Sequence, residues 1–179
     1  IDAIPFDHSD IDVWRNNKQG IRYLHEKTNF EIFGSIDDVW MLPNGELIIV
    51  DYKAKATKDD SSTFLEPKIK KNGEMDTKEM YKIGYKKQIE IYQWLFRKNG
   101  FKVSNTSYFI FANAKKDKEA FKDRLDFAKV LIPYEGNDDW VEAAVLGIHE
   151  CLSKDVLPEA DPCCDYCNYR KKTIDHESL

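Results

Sequence analysis

The run Leu47-Ile48-Ile49-Val50-Asp51-Tyr52-Lys53 is a greasy strand that ends in charge. Four consecutive branched apolar residues read as a strand buried on both faces. Side chains alternate along a strand, so Asp51 and Lys53 point to the same side. Charged groups at the edge of an apolar core are costly unless they are paired or hold a metal. Upstream lies Gly34-Ser35-Ile36-Asp37-Asp38-Val39, which adds two carboxylates. Between the segments stands Pro43-Asn44-Gly45, and Asn-Gly between apolar runs predicts a β-hairpin. Its arms run from Phe30 to Leu42 and from Glu46 to Ala54. A two-residue loop puts Asp38 opposite Asp51. A three-residue loop with Gly45 left-handed puts Asp37 there. Spacing leaves both registers open.

One use suits two carboxylates and a lysine together: a divalent-metal site for phosphodiester hydrolysis. Carboxylates hold Mg²⁺ or Mn²⁺, and a lysine orients the attacking water and balances developing negative charge. The plain alternative is a pair of surface acids beside a salt-bridging lysine.

A second constellation lies in an aromatic stretch predicted to be helical from about Thr77 to Asn99. Gln88 and Tyr92 stand four apart, hence on one helical face, with Tyr85 and Leu95 continuing the stripe. At this point the chain resembles the PD-(D/E)XK nuclease superfamily, specifically its RecB-like branch, which includes CRISPR-associated exonucleases. That family's signature is a Gly-x-x-Asp strand, an Asp-x-Lys strand and Gln-x-x-x-Tyr on the following helix. Here it reads Gly34 to Asp37, Asp51 to Lys53 and Gln88 to Tyr92, in the same order. The resemblance implies that Asp37 and Asp51 are metal ligands, with the Tyr52 carbonyl as a third. Lys53 would be the catalytic lysine, and Gln88 and Tyr92 would position substrate phosphate or the lysine. The family's upstream histidine ligand has a candidate in His25, with His8 as a weaker second choice. The resemblance, and not the spacing, selects Asp37 over Asp38.

The remaining chain is consistent with a nuclease core of about residues 1–157 and a cysteine-containing tail of 158–179. Ile11 to about Lys27 reads as a helix, weakened by Asn16-Asn17 and Gly20. Lys55 to Asp76 reads as a charged loop, either a flap over substrate or an insertion. Val103 to Ala114 and Arg124 to Tyr134 read as strands. Asn137 to Leu152 reads as an amphipathic helix with Val141, Ala144, Val145, Ile148 and Leu152 inward. Strands first and alternating helix and strand afterwards predict an α/β (α+β) fold. Its core would be a central mixed β-sheet flanked by helices, which is also the superfamily's restriction-endonuclease-like architecture.

A net charge of −5 over 179 residues argues against a nucleic-acid binder at first sight. Residues 52 to 88, however, carry ten lysines against six acids, a local balance of +4 beside the proposed site. A phosphate backbone needs a local positive track and not a positive protein. Some of those lysines read equally well as a solvated helix face. DNA, single-stranded or end-containing, is the expected partner. Nothing in the sequence indicates which proteins it meets. No run approaches the ~20 apolar residues that span a bilayer, no signal-like start is visible, and the cytoplasm is the default location. Ile1 as first residue leads to the expectation of a fragment or a processed chain.

The last feature is Cys163-Cys164-Asp165-Tyr166-Cys167, with Cys151 upstream. Four cysteines with no sign of export argue for thiols or metal ligands over disulfides. Cys164-x-x-Cys167 after a proline is a half-site for zinc or an iron–sulfur cluster. RecB-like nucleases often hold a [4Fe–4S] cluster on one cysteine before the core and three after it, and this run resembles the start of that trio. Lys171 to Leu179 contains no cysteine, so Cys163 would substitute, or His176 would complete a zinc site. Thiols without metal are the bland alternative.

The expected activity is metal-dependent hydrolysis of DNA, exonuclease-like, in repair, recombination or defence. Two rivals are a catalytically silent nucleic-acid-binding or scaffolding domain on a nuclease fold, and a structural metal-binding module.

Overall fold

A computed structural model of the protein describes residues 1–58, 61–74, 76, 79–116 and 123–177, without the side chains of 175–177. The described chain divides into two compact units, Ile1–Val141 and Glu142–Leu179.

The first unit is built on a five-stranded mixed sheet in the order β1-β4-β5-β6-β7. These strands are β1 (Ile4–Pro5), β4 (Asp38–Met41), β5 (Leu47–Lys55), β6 (Thr106–Ala114) and β7 (Phe127–Glu135). Every pairing is antiparallel except β5 with β6. That parallel step requires a crossover, supplied by the helix α2 (Met80–Lys98). A second, two-stranded sheet pairs β2 (Ile21–His25) with β3 (Phe30–Gly34). Together these give a mixed α/β fold with a central sheet and flanking helices, as the sequence predicts.

The local causes are plain. β5 is central, and Leu47 through Asp51 are all buried. In β6 burial alternates, with Ser107, Phe109 and Phe111 inward. They share a face with Asp51 and Lys53, because Asp51 pairs with Phe109 and Lys53 with Phe111. The helix α2 covers that face. Its Ile89, Tyr92, Leu95 and Phe96 are buried, and the fully buried Gln93 uses Nε2 to reach Asn105 O at 2.7 Å and Ser107 Oγ at 3.0 Å. The helix stops at Asn99, and Gly100 follows at φ +86, the left-handed conformation expected after a helix end.

Three expectations are corrected. The helix read over Ile11 to Lys27 is only α1 (Ile11–Arg15), and the next segment is the strand β2. Gly20 ends the turn at φ +63, where a Cβ would lie 2.4 Å from Gly34 O, so the two backbones meet at this glycine. Phe30 to Gly34 pairs with β2 and does not extend the Asn-Gly hairpin; the chain breaks from one sheet to the other at Ser35–Asp37. In the helix α3 (Asp139–Leu152), Val141 and Val145 are buried, but Ile148 and Leu152 are 53% and 72% exposed. An apolar stripe marks the face a helix can bury and says nothing of how far its partner extends.

The charged loop after β5 is more anchored than its composition suggests. A 3-10 turn at Ser61–Thr63 leads to Phe64, which is buried with its ring stacked 4.0 Å from that of Phe111. The start of the expected helix at Thr77 lies outside the described residues.

In the second unit, the helix α4 (Asp165–Glu177) carries Cys167 in its first turn. No helix among the described residues is long and apolar enough to cross a membrane.

Candidate active site

The hairpin register is set by its turn. Met41 pairs with Leu47 and Trp40 with Ile48. Leu42 N–H donates to Glu46 O at 2.9 Å, which leaves Pro43, Asn44 and Gly45 as a three-residue loop. Gly45 adopts φ +80, the left-handed value such a loop requires. Asp38 therefore lies opposite Val50, and Asp37, one step beyond the ladder, comes level with Asp51. The Tyr52 N–H donates to Asp37 Oδ2 at 2.7 Å, which puts the Tyr52 main chain beside that carboxylate.

The two adjacent aspartates thus have different surroundings. Asp38 faces away from α2 and is fully engaged. It accepts from Arg15 Nη2 at 2.5 Å, the Tyr52 hydroxyl at 2.8 Å, Trp40 Nε1 at 3.2 Å and the Val39 N–H at 2.9 Å. Burial opposes its charge, but these donors outweigh it and hold the carboxyl below its ordinary value. The same contact, after burial, pushes the Tyr52 phenol up to about 12. Asp37 is exposed and turned toward Asp51.

Asp51 is 2% exposed. Lys53 Nζ stands 2.6 Å from its Oδ2, yet that buried oxygen receives no directed hydrogen bond. Burial pushes the Asp51 carboxyl above its ordinary value; Lys53 opposes the shift and the charge of Asp37 adds to it. From Lys53 a chain of contacts leads into α2. Its Nζ donates to Gln88 Oε1 at 3.1 Å, and Gln88 Nε2 donates to the Tyr92 hydroxyl at 2.8 Å. The ammonium also lies 4.5 Å from the centre of the Tyr85 ring. Tyr92 is buried, and burial raises its phenol above the ordinary value. Its oxygen accepts from Gln88, so its own proton remains to be donated.

Gly34 explains how Tyr92 reaches this position. A Cβ at residue 34 would lie 2.6 Å from Tyr92 Cε1, so the ring occupies the space a side chain would need. The glycine of Gly-x-x-Asp and the tyrosine of Gln-x-x-x-Tyr are one packing contact.

Asp37, Asp51, Lys53, Gln88 and Tyr92 are therefore brought together, and the two histidines are not. His25 sits at the turn end of the β2–β3 hairpin, buried, with Nδ1 2.8 Å from Thr28 Oγ1. His8 stacks on Trp14, ring centres 4.5 Å apart. Sequence reasoning missed Arg15 and Tyr52 as the partners that hold Asp38; their link spans 23 and 14 residues and leaves no local pattern.

Among the described residues, no group of three or more His, Cys, Asp or Glu stands together in metal-ligating reach. Two carboxylates, one buried and paired with Lys53 and one exposed beside it, suit Mg²⁺ or Mn²⁺, hard ions that take one or two carboxylates and keep several waters. In the second unit Cys167 N–H donates to Cys164 Sγ at 3.4 Å. That contact lowers the Cys164 thiol, and the hydrogen bond to Cys164 raises Cys167. Cys163 and Cys151 are exposed thiols. The described residues do not gather the four thiolates a [4Fe–4S] cluster needs, and the side chain of His176 lies outside them.

A protein-family model of the PD-(D/E)XK nuclease superfamily matches residues 7–171. No curated protein and no solved structure matches the chain.

Proposed function

The chain belongs to the PD-(D/E)XK nuclease superfamily, and from that premise we propose a divalent-metal-dependent deoxyribonuclease of the RecB-like branch, exonuclease-like in action. The observation that carries the reading is the continuous chain Asp51–Lys53–Gln88–Tyr92. A core that only needed to be stable gains little from a buried carboxylate raised above its ordinary value; a metal site gains a ligand.

Asp37 and Asp51 would hold Mg²⁺ or Mn²⁺, with the Tyr52 carbonyl beside them; His25, committed to its hairpin turn, is left out of the set. When bound, the ion supplies Lewis-acid polarisation of the phosphoryl oxygen and a more acidic water. The chain's own groups do the rest. Lys53, fixed between Asp51 and Gln88, presents an ammonium to the non-bridging oxygens as negative charge builds on them. Gln88 orients that ammonium and, through its amide N–H, the Tyr92 hydroxyl. Tyr92 is left with one proton to donate to a phosphate oxygen or to the attacking water. We assign residues 1–157 to the nuclease and 158–179 to an appended cysteine tail.

The test is degradation of labelled single-stranded and end-containing DNA on addition of Mg²⁺ or Mn²⁺, abolished by EDTA. Binding without cleavage across both metals and several substrates would leave a silent nucleic-acid-binding domain.

A further inference from the structure

Asp37 lies between strands, because β3 ends at Gly34 and β4 begins at Asp38. A residue outside the ladder is not placed by sheet pairing, so other contacts must hold it level with Asp51. Each residue of Ser35–Asp37 is tied to α1 or to the turn that follows it. Ile36 N–H donates to Trp14 O at 3.1 Å, and Ser35 Oγ donates to Asn17 Oδ1 at 2.9 Å. Arg15 makes the third tie. Its Nε donates to Asp37 O at 3.2 Å, while its Nη2 donates to Asp38 Oδ1 at 2.5 Å.

The planar guanidinium thus spans the Asp37–Asp38 peptide with two donors in a fixed relation. The Arg15 side chain is 41% exposed, and an ion pair so exposed adds little to stability by itself. A plain surface pair would not make the second contact, the one to Asp37 O. That contact restrains Asp37 through its main chain, while the Tyr52 N–H, 2.7 Å from Asp37 Oδ2, restrains the carboxylate. A helix of five residues such as α1 does not stand alone. It is anchored by the buried Trp14, whose ring meets Phe96 at 5.0 Å and Phe101 at 5.5 Å. Phe96 belongs to α2, the helix that also carries Gln88 and Tyr92. The tie on Asp37 and the partners of Lys53 therefore refer to one helix.

We infer that Arg15 is a positioning residue of the metal site: it sets the angle at which Asp37 presents its carboxylate to the ion. It acts from the face of the sheet that bears Asp38, through the main chain of the ligand. The inference rests on the metal-dependent reading of Asp37 and Asp51, and it adds a residue outside that set.

The experiment titrates the protein with Mn²⁺ alone by calorimetry, for the wild type, Arg15→Lys, Arg15→Met and Trp40→Phe. Urea unfolding of each is followed in parallel, and cleavage of labelled DNA is scored separately. A lysine can keep the ion pair with Asp38 but cannot make both bonds at once. Arg15→Lys should therefore unfold close to wild type yet bind Mn²⁺ roughly tenfold more weakly, as for loss of a group that orients a metal ligand. The Mn²⁺ concentration for half-maximal cleavage should rise by the same factor. Arg15→Met should lose at least as much affinity; if it unfolds early, Arg15→Lys carries the test. Trp40→Phe removes a different donor to Asp38, Nε1 at 3.2 Å, and should keep the wild-type Mn²⁺ affinity. Unchanged Mn²⁺ affinity in Arg15→Lys, or an equal loss in Trp40→Phe, overturns the positioning role and leaves the nuclease reading in place. Mn²⁺ binding that depends on Arg15, in a wild type that never cleaves DNA, keeps the role and removes the nuclease. A wild type that binds no Mn²⁺ removes both.

Discussion

Asp37 and Asp38 are neighbours in the chain and belong to opposite faces of the sheet. Asp37 accepts the Tyr52 main-chain N–H at 2.7 Å on the Asp51 side, whereas Asp38 accepts the Tyr52 hydroxyl at 2.8 Å on the other. One tyrosine holds both, through its backbone and through its ring.

The two carboxylates should therefore fail differently. Asp38→Ala strips partners from Arg15, Tyr52 and Trp40 and should cost about 2–3 kcal/mol of stability. Asp37→Ala should leave stability within about 0.5 kcal/mol and abolish Mn²⁺-dependent cleavage. Urea unfolding and a nuclease assay on both variants decide this. Loss of cleavage with full stability in Asp38→Ala would reverse the assignment.

Lys53→Met should lower turnover by roughly two or more orders of magnitude while Mn²⁺ binding stays close to normal, as for removal of one charge stabiliser. Gln88→Leu frees both the Lys53 ammonium and the Tyr92 hydroxyl. Its turnover should fall by about tenfold or more, with unfolding nearly unchanged. Isothermal titration with Mn²⁺ separates the two effects; equal loss of metal affinity in Lys53→Met and Asp51→Ala would contradict this division of roles.

Acid should act on Asp38 and Asp51 with opposite signs. The Asp38 carboxyl is lowered, so its contribution to stability is present above the unfolded value and is lost as pH falls through the folded one. The Asp51 carboxyl is raised in the metal-free protein, so its contribution is present below the unfolded value and is lost as pH rises through the folded one. Asp38→Asn should therefore lose stability at neutral pH and converge on wild type in acid. Asp51→Asn should be at least as stable as wild type at neutral pH without metal. Unfolding midpoints measured through the acid range test both, and a destabilised Asp51→Asn at neutral pH would refute the second.

Gly34→Ala inserts a methyl 2.6 Å from Tyr92 Cε1. Overpacking of this kind costs about 1–3 kcal/mol, and displacement of Tyr92 should disturb Gln88 and slow cleavage by about tenfold. A double variant, Gly34→Ala with Tyr92→Phe, should show no further loss of rate if the glycine acts only through that ring.

The pieces of the candidate site that are local were legible: Asp51 and Lys53 share a face by strand alternation, and Gln88 and Tyr92 by one helical turn. The register was not, since spacing left Asp37 and Asp38 equally open opposite Asp51 and only the three-residue loop with Gly45 at φ +80 brings Asp37 level with it. Pieces defined by distant partners were not legible. Ile11, Trp14 and Leu24 were compatible with one helix, and only the approach of Gly20 to Gly34 shows that this segment must turn into a strand. The burial of Phe64 depends on Phe111, far along the chain, so a charged loop concealed an anchor.

The parallel pairing of β5 with β6 has a consequence for the order of events during folding. Asp51 meets Phe109 across roughly sixty intervening residues, whereas the hairpins β2–β3 and β4–β5 close over short loops. Local hairpins should form early and the crossover late, since a long loop must close before its contacts stabilise anything. Until then Asp51 and Lys53 remain in water, fully hydrated. The half of the molecule that carries the charged strand end can thus collapse with its most polar residues still solvated, and their dehydration is deferred to the step at which α2 arrives carrying Gln88 and Tyr92. A nascent chain that stalls before this step would expose the β5 edge, greasy from Leu47 to Val50, and aggregation through that edge is the failure to expect of variants that weaken α2.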